Sequence, residues 1–235
     1  MTAIFAHRGH RAAGHRENTL EAFAAALRAG ADGVELDVRM TADAQLAVHH
    51  DRQVPGVAPI TNIPAGNLPP YVPLLGGALD ACQGMTVNVE VKHEEDADPQ
   101  RRVAELVGVA VAGREQVLVS SFDPVSLAVI RSRQPRVRTG LLVHPDVEAL
   151  AAIDQALALG CATLHPFVTQ ADRCLVDAAG GAGLGLHVWT VNADADLAAM
   201  RDLDVDAVIT DRLDAAIAIV RARGRGARNG GARDG

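Results

Sequence analysis

The chain has 235 residues with a formal charge of −7, half of them apolar, about a fifth charged and only 3% aromatic. That length suits one sizeable core built from Val, Leu, Ile and Ala rather than aromatic rings. The acidic balance argues against a nucleic-acid backbone as main partner, and no apolar run reaches membrane-spanning length, so no stable membrane insertion is expected.

In chain order, Ala3–His7 reads as a short buried strand and Asn18–Ala29 as a helix, with Leu20, Phe23, Ala24 and Leu27 at helical spacing and Gly30 as its stop. Gly33–Arg39 is a second strand, and Gln45–His50 a short extended run beyond a turn-like Thr41–Ala44. Residues 52–72, rich in Pro, Gly and Asn, show no period and read as an irregular insertion rather than a second domain.

From there the alternation is regular. Leu74–Cys82 is helical and Thr86–Lys92 a strand; Gln100–Ala112 is helical and Gln116–Ser121 a strand; Pro124–Ser132 is helical and Arg138–Val143 a strand. Val147–Leu159 is then a helix, Ala162–His165 a strand, Ala171–Ala179 a helix and Gly185–Val191 a strand. Ala195–Leu203, Ala207–Thr210 and Ala215–Arg223 close the series. Eight strands, nearly all followed by helices, predict an α/β fold of the (β/α)8 TIM-type barrel class, one domain over residues 1–223. An open doubly wound sheet is the alternative, but no Gly-x-Gly-x-x-Gly follows a strand. The arginine- and glycine-rich tail, residues 224–235, has nothing to bury and is expected to be disordered.

The polar residues fall at one end of these strands. His7-Arg8, Glu35 and Asp37, Glu90 and Lys92, Ser120-Ser121, His165, Trp189-Thr190 and Thr210-Asp211 lie at or near strand C-termini, where barrel active sites are assembled. Glu35 and Asp37 are two apart on a strand and share a side, as do Glu90 and Lys92. Three carboxylates aimed into one mouth repel each other, and a hard divalent cation would remove that repulsion through oxygen ligands. His7 and one of His49 and His50 are candidates for general acid and base, with Asp51 placed to orient an imidazole. Arg8 and Lys92 suit a phosphate, the first as a planar fork and the second as a point charge. Trp189, the only tryptophan, is either core or an apolar wall for substrate. The three cysteines are far apart and read as buried thiols, and without a leader-like segment the cytoplasm is the default location.

With these residues in hand, the chain resembles the glycerophosphodiester phosphodiesterases. The matching segments are His7-Arg8-Gly9, Glu17-Asn18-Thr19, Gly33-x-Glu35-x-Asp37-Val38, His50-Asp51, Val89–Lys92, Ser120–Asp123, Trp189–Asn192 and Ile209–Asp211. The resemblance implies hydrolysis of a small-molecule glycerophosphodiester to glycerol 3-phosphate and an alcohol. It implies one divalent cation, Mg2+ or Ca2+, held by Glu35, Asp37 and Glu90. It further implies His7 and His50 as the acid–base pair and Arg8 and Lys92 on the phosphate. Two alternatives keep the motifs: a phospholipid or lysophospholipid phosphodiesterase, and a catalytically silent phosphate-ester binder. The oligomeric state is not written in the sequence.

Overall fold

The computed structural model describes residues 1–11, 14–94 and 96–222; the expected disorder of residues 224–235 lies outside them. Among the described residues there are nine strands: β1 Ala3–His7, β2 Gly33–Met40, β3 Leu46–Val48, β4 Thr86–Val91, β5 Val117–Ser121, β6 Arg138–Leu142, β7 Thr163–His165, β8 Gly185–Val188 and β9 Ala207–Thr210. Eight helices accompany them: α1 Leu20–Ala29, α2 Leu75–Ala81, α3 Ala97–Val111, α4 Pro124–Arg133, α5 Ala152–Ala158, α6 Arg173–Gly181, α7 Asp194–Leu203 and α8 Leu213–Val220. All strands except β3 are parallel, and pairing of β1 with both β2 and β9 closes them into an eight-stranded barrel wrapped by the helices. The predicted (β/α)8 class is the observed one.

The core divides by strand face, because alternate residues point to opposite sides. Val34, Leu36 and Val38 of β2 point outward and join Phe23, Val103, Leu127 and Ile130 in the layer between barrel and helices. The barrel interior has a much smaller apolar group, Phe5, Ala207 and Ile209. Gly33 makes room for the Phe5 ring, since a Cβ there would stand 2.8 Å from Phe5 Cζ. Much of the remaining interior is polar, with Asn88, Ser120 and His165 all buried.

Two departures from the predicted elements have local causes. Helix α5 begins at Ala152 rather than Val147, because residues 144–151 form turns whose carbonyls at His144, Pro145 and Val147 accept from Gln170 Nε2. The extended run Gln45–His50 shortens to β3, which pairs antiparallel with the far end of β2. The Glu35 carbonyl accepts from Arg8 N–H at 2.9 Å and the Asp37 carbonyl from His49 N–H at 3.0 Å, so β3 takes over the edge of β2 that β1 leaves. This hairpin carries His50 to the barrel mouth. Residues 52–72 follow with two short 3-10 turns and a small apolar cluster of Val54, Ile60, Ile63 and Val72 packed with Ala47.

Candidate active site

Parallel strand register builds the centre of the site. His7 is aligned with Glu35, and Asp37 with Glu90, so the inward faces of β1, β2 and β4 bring these side chains together. Glu35, Asp37 and Glu90 each offer an oxygen within 4.8 Å of the others. Glu35 and Asp37 are buried.

The surrounding charges divide these carboxylates. Burial, reinforced by Asp37 and Glu90, pushes the Glu35 carboxyl well above its usual range. Burial and Asp37 also raise Glu90, though Lys92 donates to its Oε1 at 2.7 Å. Burial works the same way on Asp37, but Lys92, Arg8 and His50 outweigh it and hold Asp37 below its ordinary value. Asn18 adds to this, donating from Nδ2 to Asp37 Oδ2 at 2.8 Å while its Oδ1 accepts from the Asp37 N–H at 3.3 Å. Glu35 Oε1 is buried with no protein partner. Three clustered carboxylates, one costly to ionise and presenting an orphaned oxygen, fit a hard cation that takes oxygen ligands.

The segment after β1 is shaped to reach this centre. Arg8 adopts φ 57° and Gly9 φ 86°, and a Cβ on Gly9 would lie 2.7 Å from Ala22 Cβ. This tight turn lets the Arg8 guanidinium approach Asp37 at 3.2 Å from Nε while Nη1 donates to Glu17 at 2.9 Å. Arg8 and Lys92 are both buried enough to lose solvation, yet the facing carboxylates keep both pKa values raised, so both stay cationic.

Two imidazoles flank the carboxylates. His7 Nδ1 lies 2.7 Å from Asp211 Oδ1, and Nε2 lies 3.9 Å from Glu35 Oε2. Asp211 is fixed in turn by Asn192, whose Nδ2 donates to Oδ2 at 2.8 Å and whose Oδ1 accepts from the Asp211 N–H at 3.0 Å. Hydrogen bonds from His7 and Asn192, with the Arg11 charge, hold the Asp211 carboxyl far below its usual range despite burial. His50 repeats the motif, with Nδ1 2.7 Å from Asp51 Oδ1. An ionised carboxylate only accepts, so in both residues Nδ1 carries the proton and Nε2 is left for the site. Burial lowers the His50 pKa, against the pull of Asp37.

Trp189 stands on the other arc of the mouth. Its Nε1–H donates to the buried His165 carbonyl at 2.8 Å, and its ring meets Phe122 and Phe167 edge-on at 5.4 and 5.2 Å. Three of the chain's six Phe, Tyr and Trp residues therefore gather on the β5–β8 side, opposite the ionic residues of β1, β2 and β4.

The structure thus brings His7, Arg8, Glu35, Asp37, His50, Glu90 and Lys92 together and sets Trp189 across from them. His49 turns away toward the Gln53 carbonyl. In the sequence Asp211 stands at a strand end, Asn18 at a helix start and Asn192 only within a segment of the family resemblance, none with a role of its own. Arg39 continues the alternation of Glu35 and Asp37 along β2, and its guanidinium meets Glu94.

Similarity to known proteins agrees with this architecture. A model of the glycerophosphoryl diester phosphodiesterase family matches residues 7–215, from the first site histidine to beyond Asp211. The chain belongs to that family. Glycerophosphodiester phosphodiesterases of Caldanaerobacter subterraneus subsp. tengcongensis and Bacillus altitudinis are 29% and 30% identical to it. These alignments cover 95% and 93% of this chain, and 99% and 98% of the relatives. A solved Oleispira antarctica phosphodiesterase, in complex with the product sn-glycerol-3-phosphate, has the same fold with TM-score 0.81 at 22% identity, covering 93% of this chain and 97% of that one. Among the described residues no helix is long and apolar enough to cross a membrane.

Proposed function

We propose that this family member hydrolyses small glycerophosphodiesters to sn-glycerol 3-phosphate and an alcohol, using one divalent cation and two histidines. The observation that carries the reading is the triad of oxygens within 4.8 Å, flanked by two imidazoles each tied through Nδ1 to its own carboxylate. Glu35, Asp37 and Glu90 would hold the cation, Mg2+ or Ca2+. Bound there, it supplies polarisation of the phosphoryl oxygens and offsets the charge that builds on them.

The chain's own residues supply the rest. Arg8 and Lys92 remain cationic beside the carboxylates and bind the phosphate. With Nδ1 tied to a carboxylate, His7 and His50 each keep Nε2 for the reaction. One takes a proton from the nucleophile while the other donates to the leaving alkoxide; attack by water gives glycerol 3-phosphate directly, whereas attack by the glycerol 2-hydroxyl gives a cyclic phosphate that water then opens, with the two histidines exchanging roles. Asp211 and Asp51 keep Nδ1 protonated and so hold each ring in the tautomer whose Nε2 reacts.

The aromatic arc favours a second substrate form on the same chemistry: a diester with an apolar arm, such as a lysophospholipid, lying against Trp189, Phe122 and Phe167. The test is release of glycerol 3-phosphate from glycerophosphocholine, glycerophosphoethanolamine and glycerophosphoglycerol, and of lysophosphatidate from a lysophospholipid alongside. EDTA, Mg2+, Ca2+ and Mn2+ are compared in parallel. Turnover that EDTA abolishes and a cation restores is expected; silence on every diester with every cation would refute the reading.

A further inference from the structure

His50 is a loop residue beyond β3, and its ring is hydrogen-bonded to Asp51, the next residue, whose side chain is 67% exposed. Such a partner turns the imidazole but cannot hold it against the barrel, because the two move together. The tie to the scaffold comes from elsewhere. Arg39 Nε donates to the His50 carbonyl at 2.8 Å, and Arg39 Nη1 donates to Glu94 Oε1 at 3.0 Å. Arg39 and Glu94 are each 6% exposed.

The chain of bonds continues inward. The Glu94 N–H donates to Gln100 Oε1, Gln100 Nε2 to Ser126 Oγ, and Ser126 Oγ to Asp123 Oδ2 at 2.9 Å. Gln100 and Ser126 are buried, and Asp123 caps α4. A guanidinium and carboxylate taken out of water together are costly as a means of stabilising a fold, since an apolar pair of similar volume often serves as well or better. What an apolar pair cannot do is fix a loop carbonyl. Arg39's fork joins three points, the His50 main chain, the β4–α3 connection and, through it, the frame of α3 and α4.

We propose that Arg39, braced by Glu94, is the positioning residue for His50. It sets the imidazole's place relative to the carboxylate centre without touching substrate or cation. This rests on the proposed role of His50 as an acid–base residue. Displacement of a reacting group by about 1 Å can cost on the order of a hundredfold in rate, so loosening this tie is read in turnover rather than in binding.

The principal variant is Arg39→Lys. Lysine keeps the charge beside Glu94, but its single terminal amine has no mid-chain donor for the His50 carbonyl. The expected result is kcat lower by about tenfold or more, with KM and the Mg2+ and Ca2+ dissociation constants within about threefold and the melting temperature nearly unchanged. Arg39→Met/Glu94→Leu removes both charges and should show the same split between kcat and KM. Each change is repeated in a His50→Ala background, where it should have no further effect on kcat because the residue being positioned is gone. Full kcat in folded Arg39→Lys, or an equal additional loss on top of His50→Ala, would overturn the inference and leave the network as general scaffolding. If His50→Ala alone kept wild-type turnover, the acid–base reading itself would fail, and that outcome is distinct from the other two.

Discussion

His7 and Asp211 are separated by 204 positions in the chain, yet Nδ1 of one lies 2.7 Å from Oδ1 of the other. Barrel closure makes this possible: β1 pairs with β9 in register from Ala3 against Ala207 to Ala6 against Thr210, so the residues that follow the two strands emerge side by side. Asp211→Asn would keep the shape but lose the carboxylate that selects the Nδ1–H tautomer. We expect kcat to fall by about a hundredfold or more, while Mg2+ and Ca2+ affinities stay near wild type. Steady-state kinetics with parallel metal titration checks this.

In the proposed site Glu35 would carry opposing demands of folding and cation binding. Its carboxyl is pushed up by burial and by Asp37 and Glu90, so ionising it destabilises the metal-free fold as pH rises past the ordinary carboxylate range. Glu35→Gln should therefore raise the melting temperature of metal-free protein by about 2–8 °C. It should also abolish the stabilisation that Mg2+ or Ca2+ gives to wild type. Calorimetry with EDTA and with each cation reads both effects; a lower melting temperature in EDTA would contradict the repulsion argument.

Acid sensitivity has a source inside the barrel. Burial lowers the His187 pKa from 6.5 to about 4, with Asp206 opposing, and lowers His165 well below its usual value. The two rings lie tilted by 34° with centroids 4.8 Å apart. Between these two pH values the unfolded chain binds a proton at His187 that the folded chain refuses. That stability is fully present above pH 6.5 and is lost as pH falls toward 4, at most about 3 kcal/mol for His187. Urea unfolding across this window should show a shallower slope for His187→Gln than for wild type.

Gly9→Ala tests the turn that places Arg8. Gly9 has φ 86°, and an added Cβ would stand 2.7 Å from Ala22 Cβ and 2.9 Å from the Ala22 carbonyl carbon. Both strain and collision act, so a loss of about 1–3 kcal/mol is expected. Because α1 begins just after Asn18, which bonds Asp37, metal affinity should weaken as well. Denaturation and metal titration of the same variant would show the two losses together.

Much of this architecture was legible before the structure. Strand and helix periods marked eight β/α units, and polar residues at strand ends marked the mouth, because a barrel buries its strand interiors and opens only there. Glu35, Asp37, Glu90 and Lys92 were readable as pairs two apart on strands. The Asp211–His7 bond was not, since it depends on which strands meet at closure. Arg39 is not legible because a lone arginine at a strand end looks like a solvated residue; its partners are the His50 carbonyl across the β2–β3 hairpin and Glu94, 55 positions away. The Phe122, Phe167 and Trp189 cluster was hidden in the same way, its members spread over three strand ends in a chain poor in aromatics. The late start of α5 reflects Gln170 claiming carbonyls of residues 144–147, a contact that helical periodicity cannot register.

The most direct test of the acid–base account compares wild type, His7→Ala and His50→Ala on two diesters in saturating Mg2+ or Ca2+. One, glycerophosphoglycerol, has an alkoxide leaving group; the other, glycerophospho-p-nitrophenol, has a leaving group that needs no proton. Both variants should lose about a hundredfold or more on the first substrate. On the second, the variant lacking the general acid should recover most of its turnover, and the other should not. Near-wild-type turnover of glycerophosphoglycerol by either variant would contradict the account.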